Sequence, residues 1–308
     1  MKYHSTRDLE LTYTFSEAIL KGLAHDGGLI VPEYLPKFDM KDFQDQISYT
    51  DLSKRILKSF LISDILYPDI QEICEYAFDF DVPLKKIDDQ NYLLELFHGP
   101  TAAFKDFGAR FLATCLSKIN QKNGADRPTR ILVATSGDTG GAVASAFFKQ
   151  KGTEVIILYP HDRVSKRQEK QLTCWGDNIF SYAIEGVFDD CQRIVKEIFH
   201  DNNFTTKYNI SSANSINIGR ILPQVFYYAY ASILFYRENQ QMANFCIPSG
   251  NMGNSVACFW AKEMNFPINR IELACNSNKP ISHFFSTLTH KAFKTEQTIA
   301  NAMDVGNP

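Results

Sequence analysis

No marked excess of either charge runs through this chain: 32 lysines and arginines stand against 35 aspartates and glutamates, a formal net charge of −3. The positive charges are scattered, which argues against a nucleic-acid partner. Long hydrophobic runs are missing too, so no window reaches the length of a membrane span, and Met1-Lys2-Tyr3-His4-Ser5-Thr6-Arg7 lacks the apolar core of a secretory signal. The expectation is a cytoplasmic protein with no membrane association. Cys74, Cys115, Cys174, Cys191, Cys246, Cys258 and Cys275 are dispersed, with no CxxC pair, and the histidines form no HExxH or zinc-spaced cluster. Reduced, mostly buried thiols and no bound metal are expected. Neither G-x-G-x-x-G, G-x-x-x-x-G-K-[ST] nor G-x-S-x-G occurs, which disfavours dinucleotide, P-loop and serine-hydrolase chemistry.

What is present is length for about two domains in 308 residues. Residues 1–91 read as an N-terminal helical extension covering an edge of something larger. A helical pattern from Phe15 to Ala24 stops in Gly22-Leu23-Ala24-His25-Asp26-Gly27-Gly28, and Leu29-Ile30-Val31-Pro32 is extended. Amphipathic stretches follow at Asp51 to Leu61, opening with an Asp or Thr cap, and at Asp69 to Phe78. From Tyr92 strands and helices alternate. The expected strands are Tyr92–Phe97, which reads as buried, Arg130–Thr135, Glu154–Tyr159, Ile179–Ile184, Asn244–Ile247 and Arg270–Cys275. Expected helices are Phe104–Asn120, Thr139–Lys151, Ser165–Trp175, Asp189–Asp201, Ile216–Tyr236 and Asn254–Asn265. This is an α/β pattern: mostly parallel sheets covered by helices, divided over two lobes within residues 92–308, the small lobe at about 125–205 and the large lobe the remainder.

Ligands of such sheets sit at the carboxyl ends of strands. The junction after Tyr92–Phe97 is His98-Gly99-Pro100-Thr101-Ala102-Ala103-Phe104-Lys105-Asp106-Phe107. Phe104, Phe107, Phe111 and Cys115 form one helical face, which puts Lys105 in the first turn beside apolar neighbours. Desolvation there would lower its pKa and suit it to forming a Schiff base. The alternative is a lysine whose stem covers apolar surface while its head reaches water.

Thr135-Ser136-Gly137-Asp138-Thr139-Gly140-Gly141 and Pro248-Ser249-Gly250-Asn251-Met252-Gly253-Asn254-Ser255 each follow a strand and open a helix. Either is an anion site built from free backbone N–H groups or a tight turn that needs glycine. Two such loops alongside Lys105 favour an anionic ligand. In Ser211-Ser212-Ala213-Asn214-Ser215-Ile216-Asn217-Ile218-Gly219-Arg220, Asn214 or Ser215 can cap the next helix. Arg220 could reach back to a second anion.

Together with Ser5-Thr6-Arg7, Gly22 to Leu29 and Asn301-Ala302-Met303-Asp304-Val305, these segments resemble threonine synthase, a pyridoxal-phosphate family of the tryptophan-synthase-β-like fold (fold type II), in its branch with a long N-terminal extension. The resemblance covers nearly the whole chain. It implies that Lys105 carries pyridoxal 5'-phosphate and acts as acid and base. It further implies that the backbone of Gly250, Asn251, Met252, Gly253 and Asn254 holds the cofactor phosphate, with Asp138 beside the phenolic oxygen. Thr135, Thr139, Asn214, Ser215 and Arg220 would receive a substrate phosphate, and the backbone from Ser136 through Gly137 to Thr139 a carboxylate. The implied reaction converts O-phospho-L-homoserine and water to L-threonine and phosphate, in a monomer or homodimer. The resemblance also makes the chain a C-terminally truncated form, with the residue facing the pyridine nitrogen beyond Pro308. The alternatives are another lyase of this fold, of threonine dehydratase or cysteine synthase type, and a catalytically silent cofactor-binding fragment.

Overall fold

In the computed structural model the chain is described at every residue except Gln44, Asp45, Ala125, Asp126 and Ser136, and at Asn202 in its backbone alone. Its first elements are β1 (Tyr3–Ser5), β2 (Thr12–Tyr13), α1 (Phe15–Lys21) and β3 (Ile30–Pro32). The three strands form an antiparallel sheet in the order β2-β1-β3, so this region is mixed rather than purely helical. A capping box starts α1: the Thr14 hydroxyl accepts from Glu17 N–H at 3.2 Å, and the Glu17 carboxylate accepts from Thr14 N–H at 2.8 Å. The helix ends at Gly22, three residues short of the expected stretch, at φ +69°.

Two further helices, α2 (Tyr49–Phe60) and α3 (Ile70–Ala77), match the amphipathic stretches. The cap of α2 is Ser48, whose hydroxyl accepts from Asp51 N–H at 3.1 Å, not Asp51 or Thr50; both lie inside the helix. Nor does this region merely cover an edge. Phe15 packs on Phe111 at 6.3 Å and Phe78 stacks on Phe111 at 6.2 Å between ring centroids, so both regions share one core.

The segment expected as a buried strand is instead an antiparallel hairpin of β4 (Leu84–Lys86) and β5 (Tyr92–Leu94). Leu93 is 46% exposed and Phe97 50%. A six-residue apolar run cannot by itself distinguish a parallel core strand from a hairpin. The pairing ends at Leu94, and the following Glu95 is buried between Lys85 (3.0 Å) and His98 (2.7 Å).

The remaining chain is α4 (Lys105–Asn123), β6 (Thr129–Ala134), α5 (Asp138–Phe147), β7 (Thr153–Pro160), α6 (Lys166–Thr173), β8 (Ile179–Ile184), α7 (Phe188–His200), α8 (Asn202–Tyr208), β9 (Ile210–Ser212), α9 (Ile218–Asn239), β10 (Ala243–Pro248), α10 (Gly253–Glu263), β11 (Ile268–Ala274) and α11 (Pro280–Thr287). A four-stranded, wholly parallel sheet runs β8-β7-β6-β9, with Ile131 opposite Val155 and Val155 opposite Ile179. A separate parallel pair joins β10 to β11, with Phe245 opposite Ile271. Two parallel sheets among covering helices are the α/β architecture the alternation implied. Helices α8 and α11 and strand β9 add to the expected set; each is too short for its periodicity to stand out. The long helices α4 and α9 pack against each other in the core.

Candidate active site

Lys105 is the first residue of α4, behind Phe104, which supplies no side-chain cap. Its Nζ lies 4.5 Å from the Phe104 ring centroid. Burial lowers the pKa of this amine; the Asp138 carboxylate opposes the shift and the Arg220 guanidinium reinforces it. Among the described residues the amine has neither a hydrogen bond nor an ion pair. Desolvation of the amine favours the first of the two sequence readings over a head that reaches water, although the residue as a whole is half-buried.

The loop before it is clamped by Asp106. This buried carboxylate accepts from Thr101 N–H at 2.9 Å and from the Thr101 hydroxyl at 2.7 Å. Burial raises the Asp106 pKa, against the pull of the Thr101 hydrogen bonds. Gly99 lies under the clamp: a Cβ there would come within 2.6 Å of Asp106 Oδ2. Close approach, more than strand termination, requires this glycine.

After β6 the buried Thr135 hydroxyl accepts from Gly137 N–H at 2.9 Å and Gly140 N–H at 2.8 Å. Its oxygen is thus committed to shaping the loop, with only its proton left to donate. Asp138 opens α5, and its Oδ1 accepts from Gln168 Nε2 at 2.9 Å. Thr139 follows it, half-buried in the first turn. Ser136 lies outside the described residues.

The α9 cap falls on Asn217, not on Asn214 or Ser215. Asn217 Oδ1 accepts from Gly219 N–H at 2.9 Å, while Nδ2 donates to the carbonyls of Ile19 and Ser212, both at 2.9 Å. Asn214 and Ser215 are left free of capping: Asn214 Oδ1 is buried with no partner among the described residues, and Ser215 is exposed. Arg220 is 5% exposed, donates from Nη1 to the Ala213 carbonyl, and carries a buried Nε without a partner. Burial lowers its pKa to about 10, with nearby Asp106 opposing.

At the end of β10, Gly250 fits against Met303 and Val305, where a Cβ would lie 3.1 Å from atoms of both. Met252, at φ +60°, turns the chain into α10, and the backbone N–H groups of Asn254 and Ser255 have no acceptor among the described residues. Such a terminus suits a phosphate. The Asn254 side chain is committed elsewhere, accepting from the Tyr227 and Tyr228 hydroxyls at 2.5 and 2.8 Å. Gly253 lies beside Ser215, whose Cβ is 3.4 Å from the position a Gly253 Cβ would take.

The fold thus joins Lys105, Asp138 and Arg220 in one electrostatic group and sets the 250–254 loop beside Ser215. A cleft of about 550 Å³ is lined by Pro100, Thr101, Ala102, Asp138, Gln168 and Asn301, among others. A second open groove of about 600 Å³, around Lys149 and Asp177, lies at the opposite, amino end of β7 and away from this chemistry. Sequence reasoning missed Asp106, Asn217 and Gln168 as site-shaping residues. Only Gln168 had a local signal, the S-x-x-Q spacing of a capping box with Ser165.

Residues 2–78 match the family model described as threonine synthase N terminus, and residues 83–308 that of the pyridoxal-phosphate-dependent enzymes. Threonine synthase of Escherichia coli (strain K12) is 38% identical over 310 residues, an alignment covering 100% of this chain and 72% of the relative. The chain belongs to the threonine synthase family. Another member, from Buchnera aphidicola subsp. Baizongia pistaciae, is 40% identical over 311 residues, again with 100% and 72% covered. The crystal structure of the Escherichia coli threonine synthase superposes with a TM-score of 0.92, covering 100% of this chain and 72% of that one. A pyridoxal-phosphate-bound threonine synthase from Brucella melitensis gives 0.90 at 35% identity, covering 100% and 67%. Membership makes this a pyridoxal-phosphate-dependent lyase of the tryptophan-synthase-β-like fold. The residues present fit that cofactor: at Lys105 an amine of lowered pKa with no partner among the described residues, and at the start of α10 N–H groups likewise without an acceptor among them, suited to a phosphate monoester.

Proposed function

We propose that this chain converts O-phospho-L-homoserine and water to L-threonine and phosphate, with pyridoxal 5'-phosphate held on Lys105. One observation carries the substrate: Arg220 is a buried guanidinium with no ion pair among the described residues, next to Lys105. A buried cation calls for an anion. With the substrate carboxylate received by the 136–139 backbone, a phosphorylated substrate still has a second anion for Arg220; the unphosphorylated substrates of a threonine dehydratase have none.

In this reading the backbone of Gly250, Asn251, Met252, Gly253 and Asn254 holds the cofactor phosphate, and Asp138 stands beside the ring. The bound cofactor supplies an electron sink for charge developing on the substrate carbons. Lys105, its pKa lowered by burial, takes a proton from Cα and, once that proton has been passed on, a second from Cβ; after the phosphate departs a proton goes to Cγ, which becomes the methyl group, and one is returned to Cα at the end. Arg220, with donors from Thr139, Asn214 and Ser215, meets the phosphate as it leaves Cγ. The hydroxyl proton of Thr135 supports the same group, and the backbone of Ser136, Gly137 and Thr139 orients the carboxylate. Water then adds at Cβ. The reading also makes the protein cytoplasmic, a monomer or homodimer, with an extension over 1–91 and a two-lobed region over 92–308.

The test is spectroscopic and kinetic. Wild type incubated with pyridoxal phosphate should develop a visible band that borohydride abolishes, Lys105→Ala should not, and wild type should release phosphate from O-phospho-L-homoserine. A band without phosphate release would overturn the substrate; no band would overturn the cofactor lysine.

A further inference from the structure

Gln168 has no role in the reaction as assigned above, yet its amide joins two residues that line the cleft, Asp138 and Asn301. Its Nε2 donates to Asp138 Oδ1 at 2.9 Å, while its Oε1 accepts from Ser165 N–H at 3.1 Å and from Asn301 Nδ2 at 3.3 Å. Only one orientation of the amide serves both sides, because two donors face the oxygen and a carboxylate faces the NH₂. Its neighbour is cut to fit: Gly137 stands at φ +138°, and a Cβ there would lie 2.5 Å from Nε2. Helix α6, which carries Gln168, is itself seated, with Leu172 against Gly140, where a Cβ would come within 2.6 Å of Cδ2.

The carboxylate that Gln168 holds is the one that acts on Lys105. The charged groups acting on this amine are Asp138 from α5 and Arg220 from α9; Asp106, next in α4, is occupied by Thr101, and Arg167 of α6 lines the cleft. Asp138 is close enough to attract the amine, yet no ion pair joins them among the described residues. A partly desolvated carboxylate freed of its donor would seek the nearest cation.

We propose that Gln168 is a positioning residue for this reaction, holding the Asp138 carboxylate short of an ion pair with Lys105 so that the amine stays free to carry protons. Asn301, bonded to the same amide, ties this restraint to the turn at 301–303 that faces α6 across the cleft. The inference rests on the reading of Lys105 as the cofactor lysine.

Trace acetylation of the full chain without cofactor, with Lys105 quantified by peptide mass across a pH series, reads the amine directly. Gln168→Met, similar in volume but without the amide, should move the Lys105 labelling midpoint up by about one pH unit, slowing labelling near neutrality about tenfold. Asp138→Ala should move it down, and the double variant should behave as Asp138→Ala alone. Asn301→Ala should shift it upward by less, and it carries the test if Gln168→Met loses its native circular dichroism. In the loaded enzyme Gln168→Met should lower kcat and leave KM unchanged. An unmoved midpoint, or the same upward shift in the Asp138→Ala background, overturns the proposal. A wild-type Lys105 no more reactive than surface lysines would instead overturn the lysine assignment on which it rests.

Discussion

Gly108 occupies the interior of α4, where glycine costs about 1 kcal/mol relative to alanine. A Cβ there would come within 2.9 Å of both Arg220 Nε and the Arg220 carbonyl oxygen. The absent side chain lets α4 and α9 approach closely enough to seat the guanidinium. Gly108→Ala should therefore destabilise by roughly 1–3 kcal/mol despite its better helix propensity, measured by urea unfolding, and should raise KM for the phosphorylated substrate more than it lowers kcat. A variant more stable than wild type would show that Arg220 has room to move. At this scale Lys105 was legible because its place in an apolar helical face is a local property. Gln168 was not: nothing near it in sequence marks the carboxylate thirty positions away that it holds.

Among the elements, α9 depends on one side chain that works in three directions. Asn217 caps its first turn and carries the carbonyls of Ile19 and Ser212, joining the N-terminal helix, β9 and the α9 start. Asn217→Ala should cost roughly 1–3 kcal/mol, since it removes a cap and one donor from each of two buried carbonyls, of which that of Ile19 keeps the Ser211 hydroxyl at 3.3 Å. Asn217→Asp should recover only the capping share, and equal urea midpoints for the two variants would show that the carbonyls find other donors. Helices α2, α3, α4, α7, α9 and α10 were visible in the sequence through their apolar spacing, and β6, β7, β8, β10 and β11 through continuous apolar runs. The Tyr92–Phe97 segment misled because a run of that length carries no sign of which face is covered. Asn214 and Ser215 carry the same capping chemistry as Asn217, so residue type alone could not choose among them.

For the molecule as a whole, the N-terminal region and the α/β region share one buried core. The buried cluster runs from Tyr3 and Phe15 through Phe60 and Phe78 to Phe111 and Phe226 without a break. Residues 83–308 expressed alone should expose the rings of Phe107 and Phe111 and fail to give a cooperative calorimetric transition, whereas the full chain should melt in a single one. Two separated transitions in the full chain would contradict a shared core.

The sequence by itself determined the alternation of strands and helices, the lysine and the loops with chemistry to offer, because helical period, turn propensity and cap chemistry act over a few residues. Tertiary structure decided which of these meet. The contacts that shape the site span 30 positions from Asp138 to Gln168, 133 from Gln168 to Asn301 and 198 from Ile19 to Asn217. A hydrogen bond needs its two atoms within about 3 Å, and over such separations only the packed core brings them there.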